Sequence, residues 1–493
     1  METEAAIVDV LRVGDTRASS PVTSRPHHWA RRGGHVFVST DPVLLGRHIG
    51  MATLDARWLF DYLVLGTVLG IDESRSPVAG IQRVPPGMSA VLGHDAEVRL
   101  HRTPLEDSME SFADAVRAQA AIEVRGQRRG GVLCSGGLDS AVVAAAAREA
   151  GVEVVLLCAP ASLSTEGELR LQRRLAEHLG VATIRGEHRP RLGSALDVVN
   201  AEAPWPTGGL FAGVFSELAE RAAGAGIEVV LSGDGADDLL NPQALAVADA
   251  VARRDVADAA RAWAEVGPQA RRPVRTFLAL GVAPVLARRA PRAAAALIGL
   301  GANTRELEQL VTPSFLQVGA PRSRAARVRQ WAETPHGELA WSGVRADLAA
   351  GAEASYDLPL PNGGVLPRRA LFRSVSVLAA AKRERVWRGR AARAAVRSKP
   401  ALRAGAAGLL PDDVRLVEKL GRWDLADRLW AIEGPEMQRR VQRLQRRLPD
   451  VVAGAVATAG PDDVPVDLGA AWVRLVCLDA WLHAADRRLG REL

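Results

Sequence analysis

Ser135-Gly136-Gly137-Leu138-Asp139-Ser140 directly follows the apolar run Val132 to Cys134 and leads into an Ala-rich stretch. Such a turn between strand and helix suits a phosphate. It offers several free backbone N–H groups and the positive end of a helix dipole, and paired glycines let the backbone approach a ligand without a side-chain clash. The aspartate inside the loop points to Mg²⁺ carried with the phosphates. This is not a Walker loop, since no Gly-Lys-Ser/Thr follows and no lysine precedes Lys382. Nor does it have the Gly-x-Gly-x-x-Gly spacing of dinucleotide sites. A bare Gly-Gly would read as a tight packing turn, but the full string after an apolar strand favours phosphate. A second loop, Ser232-Gly233-Asp234-Gly235-Ala236-Asp237-Asp238, follows another apolar run about 95 residues later. Alone it would be a solvated acidic turn; paired with the first it reads as part of one site.

The elements around these loops alternate. Gly130 to Cys134 reads as a buried strand, Ser140 to Ala150 as a helix, Glu153 to Cys158 as a strand and Leu169 to Leu179 as a helix. Gly226 to Leu231 reads as the strand entering the second loop. This alternation predicts an α/β fold with a doubly wound parallel sheet. Beyond about residue 245 the pattern is almost wholly helical, whereas residues before about 105 carry short β-prone segments, Gly34 to Thr40 and Val91 to Leu100, with the helix-like Leu54 to Leu69 between them. A length of 493 residues calls for two domains, with boundaries expected at 1–105 and 106–493. Hydrophobic residues at 48% and charged residues at 24% fit a globular chain, and no apolar run is long enough to span a membrane. With no signal peptide and three scattered cysteines, Cys134, Cys158 and Cys477, a reducing cytoplasm is expected. The net charge of +6 raises nucleic-acid binding. However, the arginine pairs alternate with apolar residues at helical spacing and read as solvated faces. Of 63 basic residues only Lys382, Lys399 and Lys419 are lysine, so each draws notice.

Ser-Gly-Gly-Leu-Asp-Ser resembles the pyrophosphatase loop of the asparagine synthetase superfamily, and Ser232 to Asp238 resembles that superfamily's second acidic loop. A third element is similar to its C-terminal signature of Lys-x-x-Leu-Arg, Leu-Pro and Lys-x-Gly: Lys399-Pro-Ala-Leu-Arg403, then Leu410-Pro411, then Lys419-Leu-Gly421. The resemblance implies an adenine-nucleotide alpha-hydrolase (PP-loop) fold with a largely helical C-terminal half, preceded by a small, degenerate β-rich domain. It also implies ATP and Mg²⁺ as cofactors and an AMP- and pyrophosphate-forming amide ligase working through an acyl-adenylate. Ser135, Gly136, Gly137, Asp139 and Ser140 would bind ATP, and Asp139 with Asp237 would hold the metal. Leu133, Cys158 and Gly233 would read adenine through their backbone. Lys419 would face the oxyanion, where a compact fixed charge contributes most, and Lys399 would lie near phosphate. Trp472 to Leu482 looks like the closing helix of the same domain, its aromatics serving as core.

Within this superfamily, glutamine-using members need an N-terminal cysteine nucleophile. The sequence begins Met1-Glu2-Thr3 and its first cysteine is Cys134. Residues 1–105 are therefore expected to be a truncated glutaminase-like domain that does not hydrolyse glutamine. β-Lactam-forming relatives carry a tyrosine where this chain has Asp234, and asparagine synthetases and lasso peptide cyclases carry an acid. The pattern is thus most similar to a lasso peptide macrolactam synthetase. That would join the N-terminal amine of a precursor core peptide to an Asp or Glu side chain within it, alongside a leader peptidase and a leader-binding protein. A small-molecule amide or β-lactam-type synthetase is the alternative. The family's Pro-Phe-Leu-Asp segment is not recognisable; Leu358 to Arg369 is its expected place, and that region shapes the acceptor pocket.

Overall fold

In the computed structural model of the protein, the described residues are 9–11, 18–20, 26–65, 74–85, 87–93, 97–103, 105, 110–187, 192–201, 203–207, 211–241, 243–266, 273–301, 311–335, 337–350, 357–360, 362, 364–387, 399–417, 425–454, 469–490 and 493. The N-terminal part holds two antiparallel sheets. One contains β1 (Asp9–Leu11), β3 (His28–Arg32), β4 (His35–Ser39) and β5 (Gln82–Arg83), in the order β1-β4-β3-β5. The other contains β2 (Ala18–Ser20), β6 (Met88–Leu92) and β7 (Val98–Arg102), in the order β2-β6-β7. The expected segment Val91 to Leu100 is therefore the facing arms of a hairpin rather than one strand.

The main sheet has five strands, all parallel: β8 (Arg129–Cys134), β9 (Glu153–Cys158), β10 (Ala182–Arg185), β11 (Val229–Ser232) and β14 (Arg368–Ala370). Val132, Leu156 and Leu231 have no exposed surface, as expected of strands covered on both faces. The order is β10-β9-β8-β11-β14. The chain builds outward from β8 through β9 to β10, then returns to the other side of β8 with β11. The order thus reverses between β8 and β11, and in an open α/β sheet the crevice at such a reversal, at the carboxyl ends of the strands, is where a ligand fits. Two strands escape the sequence pattern. β10 is short, half-exposed and ends in arginine. β14 lies in the stretch read as helical and pairs in register with β11, Val230 opposite Arg368. It follows a small hairpin of β12 (Leu358–Pro359) and β13 (Val365–Leu366).

The helices follow from local chemistry. Between β8 and β9 runs α3 (Leu138–Glu149), whose Ala141, Val143 and Ala144 are fully buried; small side chains there let the helix lie close on the sheet. α4 (Glu166–Leu179) begins three residues before the expected Leu169, because Thr165 and Glu168 form a reciprocal capping box. It ends at Gly180 in the left-handed conformation. β11 begins at Val229 rather than Gly226, since Gly226 has φ +71° in the turn after the preceding helix.

The C-terminal helices serve both halves. α14 (Gly469–Leu489) buries Trp472 and Trp481 completely or nearly so, and the Trp481 Nε1 donates to the Ala203 carbonyl at 3.0 Å. Its core also contains Trp58, Phe60 and Leu63 from the N-terminal part and Leu196 from α5 (Leu192–Asn200). These aromatics are packing, as their spacing implied. Among the described residues, no helix is long and apolar enough to cross a membrane.

Candidate active site

Both glycine loops leave the carboxyl ends of adjacent strands, β8 and β11, and each opens a helix. Gly136 holds φ +83°, and a Cβ there would lie 2.9 Å from the Glu168 carbonyl oxygen, so only glycine fits this bend. Ser135 and Gly137 are exposed at the mouth of the loop, and no side chain caps the start of α3. Its first N–H groups are thus available to a ligand. Ser140 turns inward and donates to the Gly137 carbonyl at 3.0 Å, so its hydroxyl fixes the loop from below. Leu133, Cys158 and Gly233 sit side by side at the ends of β8, β9 and β11. The Cys158 thiol is pushed up by the hydrogen bond it shares with Cys134 and by burial, so it is a neutral wall and not a nucleophile.

Gly233 brings the two loops together. A Cβ on it would stand 3.0 Å from Asp139 Cβ and 3.1 Å from the Ser140 nitrogen. The second loop then enters α7 (Ala236–Leu240), with Gly235 at φ +88°. Its three carboxylates meet three cations from later in the chain. Asp237 Oδ1 lies 2.7 Å from Lys399 Nζ, and the same ammonium donates to Asp139 Oδ2 at 2.5 Å. Arg368 of β14 donates to Asp234 Oδ2, and its guanidinium stands over the Phe215 ring at 5.1 Å. Arg373, 2% exposed, donates to Asp238 Oδ2 at 3.1 Å and to the Leu348 carbonyl. Burial raises the Asp238 carboxyl above the ordinary range; the Arg373 charge opposes that, while Asp237 and Asp234 add to it.

Lys399 reaches the loops from the first turn of α12 (Pro400–Gly405), as the residue before the helix, at φ 53° and ψ 50°. Two residues of the same signature support it. Leu402 is buried in the main core, and the Arg403 guanidinium donates to the Arg415 carbonyl and, at 3.0 Å, to that of Val417. Arg403 therefore ties the lysine-bearing turn to the segment leading toward Lys419, which itself lies outside the described residues. Of the expected site residues, the structure gathers Asp139, Asp237 and Lys399 into one cluster. Asp234 stands beside it on a separate partner.

The donor set fits magnesium: two carboxylates held close by a glycine contact, with further oxygens to come from phosphate and water, is how that ion is commonly bound. Among the described residues no group of three or more His, Cys, Asp or Glu could hold a metal without such help. Three residues here were not legible as site residues in the sequence. Arg368 lay in the segment expected to shape the acceptor pocket, which was the one available signal. Nothing in the sequence marks Arg373 or Phe215.

Residues 110–357 match the family model described as asparagine synthase. No curated protein matches the chain. Among solved structures, the U34-tRNA thiolase NcsA from Methanococcus maripaludis with its 4Fe-4S cluster is similar at 16% identity and a TM-score of 0.21, covering 55% of this chain and 88% of that chain.

Proposed function

The chain belongs to the asparagine synthase family, and we propose that within it this protein closes a macrolactam in a lasso-type precursor peptide, adenylating an Asp or Glu side chain for attack by the peptide's own N-terminal amine. ATP-dependent amide formation comes with the family; the peptide substrate is our reading. The observation that carries the chemistry is the meeting of Asp139, Asp237 and Lys399, from three separate motifs, at the reversal of strand order.

In this reading the N–H groups of Gly136 to Ser140 hold the pyrophosphate part of ATP. Asp139 and Asp237 hold Mg²⁺, which when bound neutralises phosphate charge. Leu133, Cys158 and Gly233 give backbone contacts to adenine. The protein's main contribution is to place the carboxylate in line with the α-phosphorus. Lys399 follows the phosphates, Lys419 faces the oxyanion formed when the amine attacks, and Asp234 receives the amine. Two features support this reading. Position 234 is an acid and not the tyrosine of β-lactam-forming relatives, and residues 1–105 contain no cysteine that could serve as the nucleophile for taking ammonia from glutamine. We propose accordingly that residues 1–105 are a glutaminase-like domain without a catalytic cysteine, residues 106–493 the synthetase domain, and a leader peptidase and leader-binding protein the partners.

The test is incubation with Mg·ATP and a precursor core peptide encoded nearby. Dehydration of the peptide by one water with release of AMP and pyrophosphate supports the reading. Amide formation from a free amino-acid-like substrate, with no turnover of peptide, would replace it with a small-molecule synthetase.

A further inference from the structure

The carboxylates expected to hold the metal are bridged by an ammonium. Lys399 Nζ lies 2.5 Å from Asp139 Oδ2 and 2.7 Å from Asp237 Oδ1, and the lysine side chain is 7% exposed. We propose that Lys399 is an internal cation that closes the divalent site until nucleotide arrives, so that the metal enters only together with phosphate. This rests on the assignment of Asp139 and Asp237 as metal ligands made above.

The physical case has three parts. First, two carboxylates brought together by the Gly233 contact repel each other, and one shared ammonium relieves both. Second, free Mg²⁺ or Mn²⁺ would have to expel that ammonium from a nearly buried position with no anion to receive it, and leaving a buried charge unpaired is strongly unfavourable. Nucleotide changes the balance, because its phosphates give the ammonium a new anionic partner while the metal takes the carboxylates. Third, the lysine is built to make that exchange. Its backbone is fixed in the left-handed region before Pro400, a conformation that costs free energy in a non-glycine residue. Arg403 anchors the turn from the other side. Only the flexible four-carbon stem is left to move a compact charge from one anion to another. A planar guanidinium would not transfer so easily, which accounts for a lysine here in a chain that otherwise uses arginine. Metal and nucleotide affinities are then linked, each raising the other by the same factor.

The probe is Mn²⁺ alone, titrated by electron paramagnetic resonance without nucleotide, then with the non-cleavable analogue α,β-methylene-ATP. Without nucleotide, Lys399→Gln should bind Mn²⁺ at least about tenfold tighter than the parent, and Lys399→Arg, which keeps the charge, should not. With the analogue present, the advantage of Lys399→Gln should vanish. Lys399→Met serves as the same test should the glutamine variant fail to fold. Equal affinity of parent and Lys399→Gln for Mn²⁺ without nucleotide overturns the proposal. Asp139→Asn separates the two levels. If it weakens Mn²⁺ binding in the presence of the analogue while Lys399→Gln changes nothing without it, the metal assignment stands and only the closing role falls. If Asp139→Asn has no effect, the metal assignment fails and this proposal with it.

Discussion

Asp237 and Asp238 are neighbours on one short helix, and each meets a cation from the distant C-terminal half, yet the two pairs are built differently. Asp238 meets Arg373, which is 2% exposed and spends other donors on the Leu348 carbonyl. A Cβ on Gly235 would lie 2.8 Å from the Arg373 Cγ, so the loop is moulded around that side chain. Asp237 meets Lys399, which it shares with Asp139 of the other loop. The arginine pair is a clamp: a rigid fork held from several sides that fixes where the loop lies. The lysine pair is a contact that can be exchanged, with one compact charge between two carboxylates at the mouth of the crevice. The fixed pair sets the position of the loop, and the exchangeable one leaves its chemistry free.

Variants that break one pair and not the other sharpen this contrast. The largest effect is expected on the chemical side. Asp139→Asn should lower amide formation by roughly 10³-fold while leaving the thermal midpoint nearly unchanged, as steady-state product release and calorimetry would show. Lys419→Ala should cost about 10²- to 10³-fold in turnover without loss of folding, and full activity in that variant would remove the residue from the mechanism. On the structural side the signature inverts. Arg373→Ala removes a buried side chain and leaves the part-exposed Asp238 and the Leu348 carbonyl without its guanidinium, and should destabilise the protein by about 1–3 kcal/mol in denaturant titrations; lysine should not restore it, lacking the fork that reaches both.

Gly233→Ala lies between the two classes. Crowding Asp139 and Ser140 should cost roughly 1–3 kcal/mol of stability, together with a drop in activity disproportionate to that loss; a variant with unchanged turnover would show that the loops do not need this approach. A pH experiment reaches a smaller effect behind the clamp. Asp347 is pushed up from its ordinary 3.8 to about 7 by burial first and by the Asp238 charge second, with the Gln243 hydrogen bond opposing. The folded protein therefore holds a proton that the unfolded chain releases, and stability falls as pH rises from about 4 to about 7. Asp347→Asn should flatten that slope and gain on the order of 1–2 kcal/mol over the parent above pH 7. The smallest effect is expected at the exposed pair Arg102–Glu338, where Arg102→Ala should change stability by no more than about 0.5 kcal/mol.

The sequence by itself determined the parts whose causes are local. The apolar runs of β8, β9 and β11, the glycines that end them and the Ala-rich helix that follows the first loop each announce themselves within a few residues. Parallel layering follows from their alternation. Lysine scarcity singled out Lys399, but its partner was not written there: the bond to Asp139 spans 260 residues. The same distance of cause hid Arg373 and Arg368, which looked like two more arginines in an arginine-rich chain. It also hid β14, whose few residues become a strand only because β11 presents an open edge. Local patterning fixes which faces are apolar and where the chain turns. Which charges meet is decided by how distant segments pack, and only the tertiary structure placed one lysine between two aspartates and an arginine behind each of the other two acids.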